Sequence, residues 1–217
     1  MTFYTPAQRE LQATFDTQRL ADAIEGAIVS EEFDEAHRAF IESRDFFFLS
    51  TVNSLGEPTV SHKGGGVGLV KVIDSKTIAF PAYDGNGMFL SLGNIIDTAK
   101  IGLLFIDFET PHRVRVQATA KLHQEDPLLP EYPGANAIVR ASLDQVFINC
   151  ARYIHPHSRV ATSRYVPDET GKQPHPAWKR IDDLQGVLPT ADQERTHQSG
   201  GTLTEAEYAD ALAKGLS

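Results

Sequence analysis

Apolar positions along the chain change their period near residue 45. Before that point Leu20, Ile24, Ala27 and Ile28 recur at helical spacing, and Ser30 with Glu31 and Glu32 has the pattern of an N-cap followed by acids in a first turn. That second helix would carry Phe33, Ala36, Phe40 and Ile41 on one face, so residues 1–45 are expected to form a helical N-terminal segment. From Phe46 the alternation is that of strands. "DFFFLSTV" predicts one, Asn53-Ser54-Leu55-Gly56 a turn, and "EPTVSHK" a second. "LVKVID", "SKTIAF", "KIGLLFIDF" and "HRVRVQATAKL" predict four more, the third and fourth joined by a tight turn at Asp74-Ser75. Six strands with mostly short connections imply a mainly β fold with flanking helices, a six-stranded antiparallel barrel whose core covers 46–122.

The long connection from Tyr83 to Ala99 carries Phe89, Leu92, Ile95 and Ile96 at helical spacing, which predicts a short helix across one barrel end after the "DGNG" turn. Beyond Leu122 a Pro-rich loop leads into "AIVRASLDQVFINCARYI", read as a helix feeding an extended segment. Thr202 to Leu216, opening on "TEAE", is read as a terminal amphipathic helix. Residues 123–217 would thus add a C-terminal helix and extended segments to a single domain, a division that suits 217 residues.

Charge and composition narrow the function. A formal net charge of −9 argues against nucleic acid as a partner, because affinity for a phosphate backbone rests on clustered Lys and Arg. No apolar run approaches the roughly 20 residues that span a bilayer, the N-terminus lacks the basic start and apolar centre of a signal peptide, and Cys150 is the only cysteine. No membrane association and a cytoplasmic location are the expectation. Cys150 has no charged or His neighbour in sequence and is expected to be a small buried hydrophobe. His155, His157 and His175 fit no standard metal spacing, so no metal site is expected.

The candidate chemistry centres on "SHKGGGVG". Three successive glycines at a strand end leave backbone bare, so peptide N–H groups can face an anion and a planar ring can lie against the chain, with a charge from Lys63 and a hydroxyl from Ser61. A loop with no ligand explains the same run equally well. In "DGNGMFLSLGN", Asn86 and Asn94 bracket the expected helix start, where the dipole favours anions, and a plain helix cap is the alternative. "PHRVRV" puts Arg113 and Arg115 on one side of a strand, either in solvent or forked onto a ring edge or phosphate.

The order strand, "SHKGG", hairpin, "DGNG", helix, "LLFIDF", "RVRV" resembles the pyridoxamine 5'-phosphate oxidase-like flavoproteins, with support from "NCARYIHPH". That resemblance implies an FMN-binding split β-barrel and a homodimer with flavin held between subunits. It places FMN contacts on Ser61, His62, Lys63, Gly64 and Gly65, a second set on Asn86, Gly87, Met88 and Ser91 with Asn94 one turn on, and Arg113 with Arg115 near the flavin pyrimidine. It puts Arg152 and Tyr153 at the partner's flavin site or in the interface. The Trp-Gly-Gly-x-Arg element of the true oxidases is absent, since Trp178 is followed by Lys179-Arg180-Ile181, which argues against vitamin B6 as substrate. What the resemblance implies is an FMN-dependent oxidoreductase with an unassigned small-molecule substrate or NAD(P)H as donor, and no catalytic residue is evident. The alternatives are a flavin-binding stress or sensor protein without turnover, or a split barrel holding haem or a deazaflavin.

Overall fold

The computed structural model describes residues 3–215; Met1, Thr2, Leu216 and Ser217 lie outside them. Backbone contacts group the chain into two compact units, 1–162 and 163–217. In the first, helices α1 (Pro6–Thr14), α2 (Gln18–Ile28) and α3 (Glu35–Glu42) accompany strands β1 (Val29–Ser30), β2 (Phe46–Val52), β3 (Pro58–Gly64), β4 (Lys71–Asp74), β5 (Thr77–Tyr83), β6 (Lys100–Asp107), β7 (His112–His123) and β8 (Ala135–Ile148). Helix α4 (Leu90–Thr98) sits between β5 and β6, as the spacing of Leu92 and Ile95 predicts. All pairings are antiparallel, in the order β3-β2-β6-β7-β8-β5-β4 with β1 added to β8, and the sheet is not closed between β3 and β4.

The sheet curls around an apolar interior. Phe47 on β2 meets Phe105 on neighbouring β6 at 5.5 Å and also Phe80 on β5 at 5.1 Å, although β5 is four strands away along the sheet. Alternation explains the register: Phe47, Leu49 and Thr51 are buried while Phe46, Phe48 and Ser50 are half-buried on the other face.

The mainly β class stands, with two strands more than the six expected. The larger correction is β8, which the sequence pattern assigned to a helix. Its inward residues are Val139 and Ala141 before Asp144 but Val146 after it, because Gln117 pairs with Gln145 while Ala118 pairs with Leu143. Asp144 is the extra residue of a β-bulge, and the parity switch turns a period of two into spacings that mimic a helix. A second correction concerns α3. Ser30 belongs to β1, and the cap is Asp34, which accepts the His37 N–H at 2.7 Å. His37 and Ile41 are buried on that helix and Ala36 is exposed. Cys150, expected buried, is exposed in the segment that leaves β8.

The second unit contains α5 (Thr190–Gln198) and α6 (Glu205–Ala213), the latter capped by Thr204 and Glu207 where "TEAE" predicts a helix start. Its buried groups are polar. Lys179, 4% exposed, pairs with Asp192 at 2.9 Å, and fully buried Thr196 donates to the Lys179 carbonyl at 3.2 Å. With that proton committed, His175 Nε2 donates to Thr196 Oγ1 at 3.0 Å, and His175 Nδ1 is buried without a partner. Burial first, then the Arg195 cation, hold His175 below its ordinary value; Lys179 and Arg180 add to this and Asp192 opposes it. The imidazole therefore takes up its proton more readily unfolded than folded, and stability present above about pH 6.5 is lost as pH falls below it. Trp178, the single tryptophan, reports on this unit. Its fluorescence in urea should show a lower midpoint in mildly acidic buffer than in neutral buffer, with a smaller difference in His175→Gln.

Candidate functional site

Helix α4 is tied along its whole length to the β2–β3 hairpin. Near its C-terminal end the Asp97 carboxylate accepts the Ser54 N–H at 2.9 Å, and the Thr98 hydroxyl donates to the Val52 carbonyl at 2.7 Å. Hydrogen bonds from the Ser54 side chain and backbone hold Asp97 below the usual carboxylate range. One turn back, buried Asn94 donates through Nδ2 to Thr51 Oγ1 at 3.0 Å and Thr59 Oγ1 at 3.1 Å, and those hydroxyls lie 2.9 Å apart. A further turn back, Ser91 Oγ meets Ser61 Oγ at 2.7 Å. As β3 advances from Thr59 to Ser61, α4 recedes from Asn94 to Ser91. Lys63 is next on that face of β3, one pleat beyond the Ser61–Ser91 contact in the first turn of α4.

That helix end offers donors. Its N-cap, Phe89, holds a left-handed backbone with φ 52° and gives no side-chain cap, and the Ser91 hydroxyl is turned to Ser61. The first intrahelical bond runs from the Gly93 N–H to the Phe89 carbonyl, which leaves the N–H groups of the opening turn without helical acceptors. Asn86 stands outside the helix and accepts the Met88 N–H at 3.1 Å, and Gly87 follows with φ 78° and open space where a Cβ would be. Burial alone lowers the Lys63 pKa from its ordinary value, and the ammonium makes no hydrogen bond or ion pair among the described residues. One desolvated cation, a pair of hydroxyls and an uncapped helix start make a donor set suited to a phosphate monoester.

The glycine run has mixed causes. A Cβ on Gly65 would lie 2.6 Å from Cδ1 of buried Leu69, a Cβ on Gly64 would lie 3.0 Å from His62 Cε1, and Gly68 has φ 80°. Packing and conformation account for these three, while Gly66 has nothing within 4 Å and presents bare backbone to solvent.

The residues singled out in the sequence divide between two faces. Ser61, Lys63, Ser91 and Asn94 come together on the α4 side, with Asn86, Gly87 and Met88 in the loop entering it. His62, Arg113 and Arg115 lie on the opposite face, where His62, Phe48, Leu104 and Arg115 form one cross-strand row. Arg113 donates through Nη2 to the Cys150 carbonyl at 2.7 Å and its Nε is buried without a partner, so its visible work is to anchor the segment that follows β8. Arg115 is exposed, and Tyr153 stands 83% exposed beneath the Arg152 guanidinium. Thr51, Thr59, Asp97 and Thr98, which fix α4, carry no signature beyond ordinary strand and helix-end polarity.

A shallow cleft of about 630 Å³ at the β7–β8 connection, lined by Gln124, Glu125, Asp126, Pro127, Leu129 and Pro130, offers no cation to an anionic ligand. Among the described residues no helix is long and apolar enough to cross a membrane.

Comparison with known proteins gives the following. The chain is similar to an FMN-binding protein from Syntrophomonas wolfei (13% identity, 64% of this chain and 97% of that one, TM-score 0.44). It is similar to a candidate pyridoxamine 5'-phosphate oxidase from Lactobacillus delbrueckii (24%, 54% and 95%, TM-score 0.45) and to the haem storage protein HutZ from Vibrio cholerae (16%, 53% and 93%, TM-score 0.39). No curated protein sequence matches it. The family model for pyridoxamine 5'-phosphate oxidase matches residues 33–150. That match takes in β2 through β8 and covers more than half of the 217 residues, so the chain belongs to the pyridoxamine 5'-phosphate oxidase family, on an open antiparallel split-barrel fold.

Proposed function

We propose that the protein is an FMN-dependent oxidoreductase that works as a cytoplasmic homodimer. What carries this is the desolvated Lys63 ammonium, without a hydrogen bond or ion pair among the described residues, one pleat along β3 from the Ser61–Ser91 hydroxyl pair in the uncapped first turn of α4. An anion there would offset the loss of water around Lys63, and FMN differs from riboflavin by just such a group. Bound FMN would accept a hydride or electrons from NAD(P)H or an organic donor and pass them on. The chain's own part is to fix the phosphate: Lys63 supplies charge, Ser61 and Ser91 orient one oxygen, and the ties at Asn94 and Asp97 hold α4 in place. Support for a dimer comes from apolar side chains left in water around the same helix, including Phe89 at 65% and Ile96 at 73% exposure.

The visible spectrum of the purified protein tests the cofactor. Flavin bands that leave with FMN on denaturation are expected. A Soret band in their place would mean that the barrel takes haem. A flavin-loaded protein that NADH, NADPH and oxygen leave unchanged would favour a flavin-holding protein without turnover.

A further inference from the structure

Three nearly parallel rings stand in a column on the face of the sheet opposite α4. Phe108 stacks on Phe46 with centroids 6.0 Å apart and planes 6° apart, and Phe46 stacks on His62 at 5.5 Å and 16°. The His157 ring closes the far end edge-on against Phe108 at 5.2 Å, and the His157 backbone N–H donates to the Phe108 carbonyl at 3.0 Å. Phe48 covers one edge of the imidazole, at 5.8 Å and 76°. The column ends in the open at His62. That residue is exposed, β3 is the last strand on its side of the sheet, and neither imidazole nitrogen is hydrogen-bonded among the described residues. Gly64 keeps the ring where it is, because a Cβ there would press on His62 Cε1 at 3.0 Å.

A ring stacked on one side only, with a bare edge of donor and acceptor nitrogens, is a surface on which a further flat ring gains both stacking and a directed hydrogen bond. Pleating sends His62 away from Ser61 and Lys63, so a ring lying on it is not positioned by the phosphate cradle. We propose that His62 is the stacking platform for a planar heteroaromatic small molecule, a binding site distinct from the phosphate cradle. The stacking does not depend on whether the phosphate cradle holds FMN.

The test is equilibrium dialysis of the full chain, as isolated and saturated with FMN, against NADP+ and against quinoline-2-carboxylate, a ring borne on a nucleotide and a free one. At least one probe is expected to bind, and which one does so identifies the source of the ring. His62→Ala should weaken that probe by about tenfold, the scale of losing one aromatic stacking partner, while FMN affinity stays unchanged. His62→Phe, which preserves the column, should bind within about threefold of the unmodified protein. Gly64→Ala, which displaces the imidazole, should resemble His62→Ala. The proposal is overturned if neither probe binds, if His62→Ala binds as well as the unmodified protein, or if His62→Ala weakens FMN instead. Probe binding that depends on His62 in a protein that takes no FMN would overturn the flavin reading and leave the platform standing.

Discussion

Replacing Lys63 with Met is expected to weaken FMN binding by about 10- to 150-fold, the equivalent of one charge-assisted hydrogen bond worth about 1.5–3 kcal/mol. The same change should leave the apoprotein at least as stable as the unmodified chain. Both signs follow from one fact: Lys63 is desolvated by burial and has no hydrogen-bond or ion-pair partner among the described residues. In the empty protein that arrangement costs stability, and a methionine of similar length removes the cost. With a phosphate opposite, the ammonium becomes a short-range counter-charge in a partly dry setting. Titration of apoprotein with FMN and urea unfolding of the apo forms measure the two effects. An unchanged FMN affinity would mean that Lys63 faces no phosphate.

Asn94→Ala should lower stability by about 2–4 kcal/mol, which for a chain of this size is a fall in melting temperature of roughly 5–15 °C. Two terms add here. The Thr51 and Thr59 hydroxyls lose the amide that donates to both, and a buried gap opens between α4 and the β2–β3 hairpin. Asp97→Ala, which removes the hydrogen bonds from Ser54 at the exposed end of the same helix, should cost less. Equal losses in the two variants would show that Asn94 is not the main tie. The resemblance to the flavoprotein family put Asn94 among the flavin contacts, whereas its amide nitrogen is already committed within the fold.

Strands β2 and β7 were legible because burial alternates with a period of two along them, and β5, buried almost throughout, because its apolar run follows a turn. β8 was not, since the bulge at Asp144 moves the positions that face the main core from odd, Val139 and Ala141, to even, Val146. The start of α3 was misplaced because Ser30 and the two glutamates imitate a cap, and only the His37 N–H shows that Asp34 is the acceptor. Apart from the "TEAE" start of α6, the second unit gave no pattern, for the groups it buries, His175, Lys179 and Thr196, are polar and leave no apolar rhythm. In the candidate site the sequence carried the residue types but not their sorting. Ser61, His62 and Lys63 are consecutive on a strand, so the period of two already separates His62 from the other pair. What no local pattern could supply is the run of α4 along β3 that brings Ser91, in the first turn of the helix, to Ser61, two residues from Lys63.

On the reading proposed above, the start of α4, with Lys63 and the two serines, is a cradle for the phosphate of FMN. The measurement that tests it most directly is titration of the apoprotein with FMN and with riboflavin, followed by flavin fluorescence, in the unmodified chain and in Lys63→Met. The unmodified protein is expected to bind FMN at least tenfold more tightly than riboflavin, a difference of about 1.4 kcal/mol or more, and Lys63→Met to narrow this gap by weakening FMN alone. Riboflavin bound as tightly as FMN by the unmodified protein would contradict it.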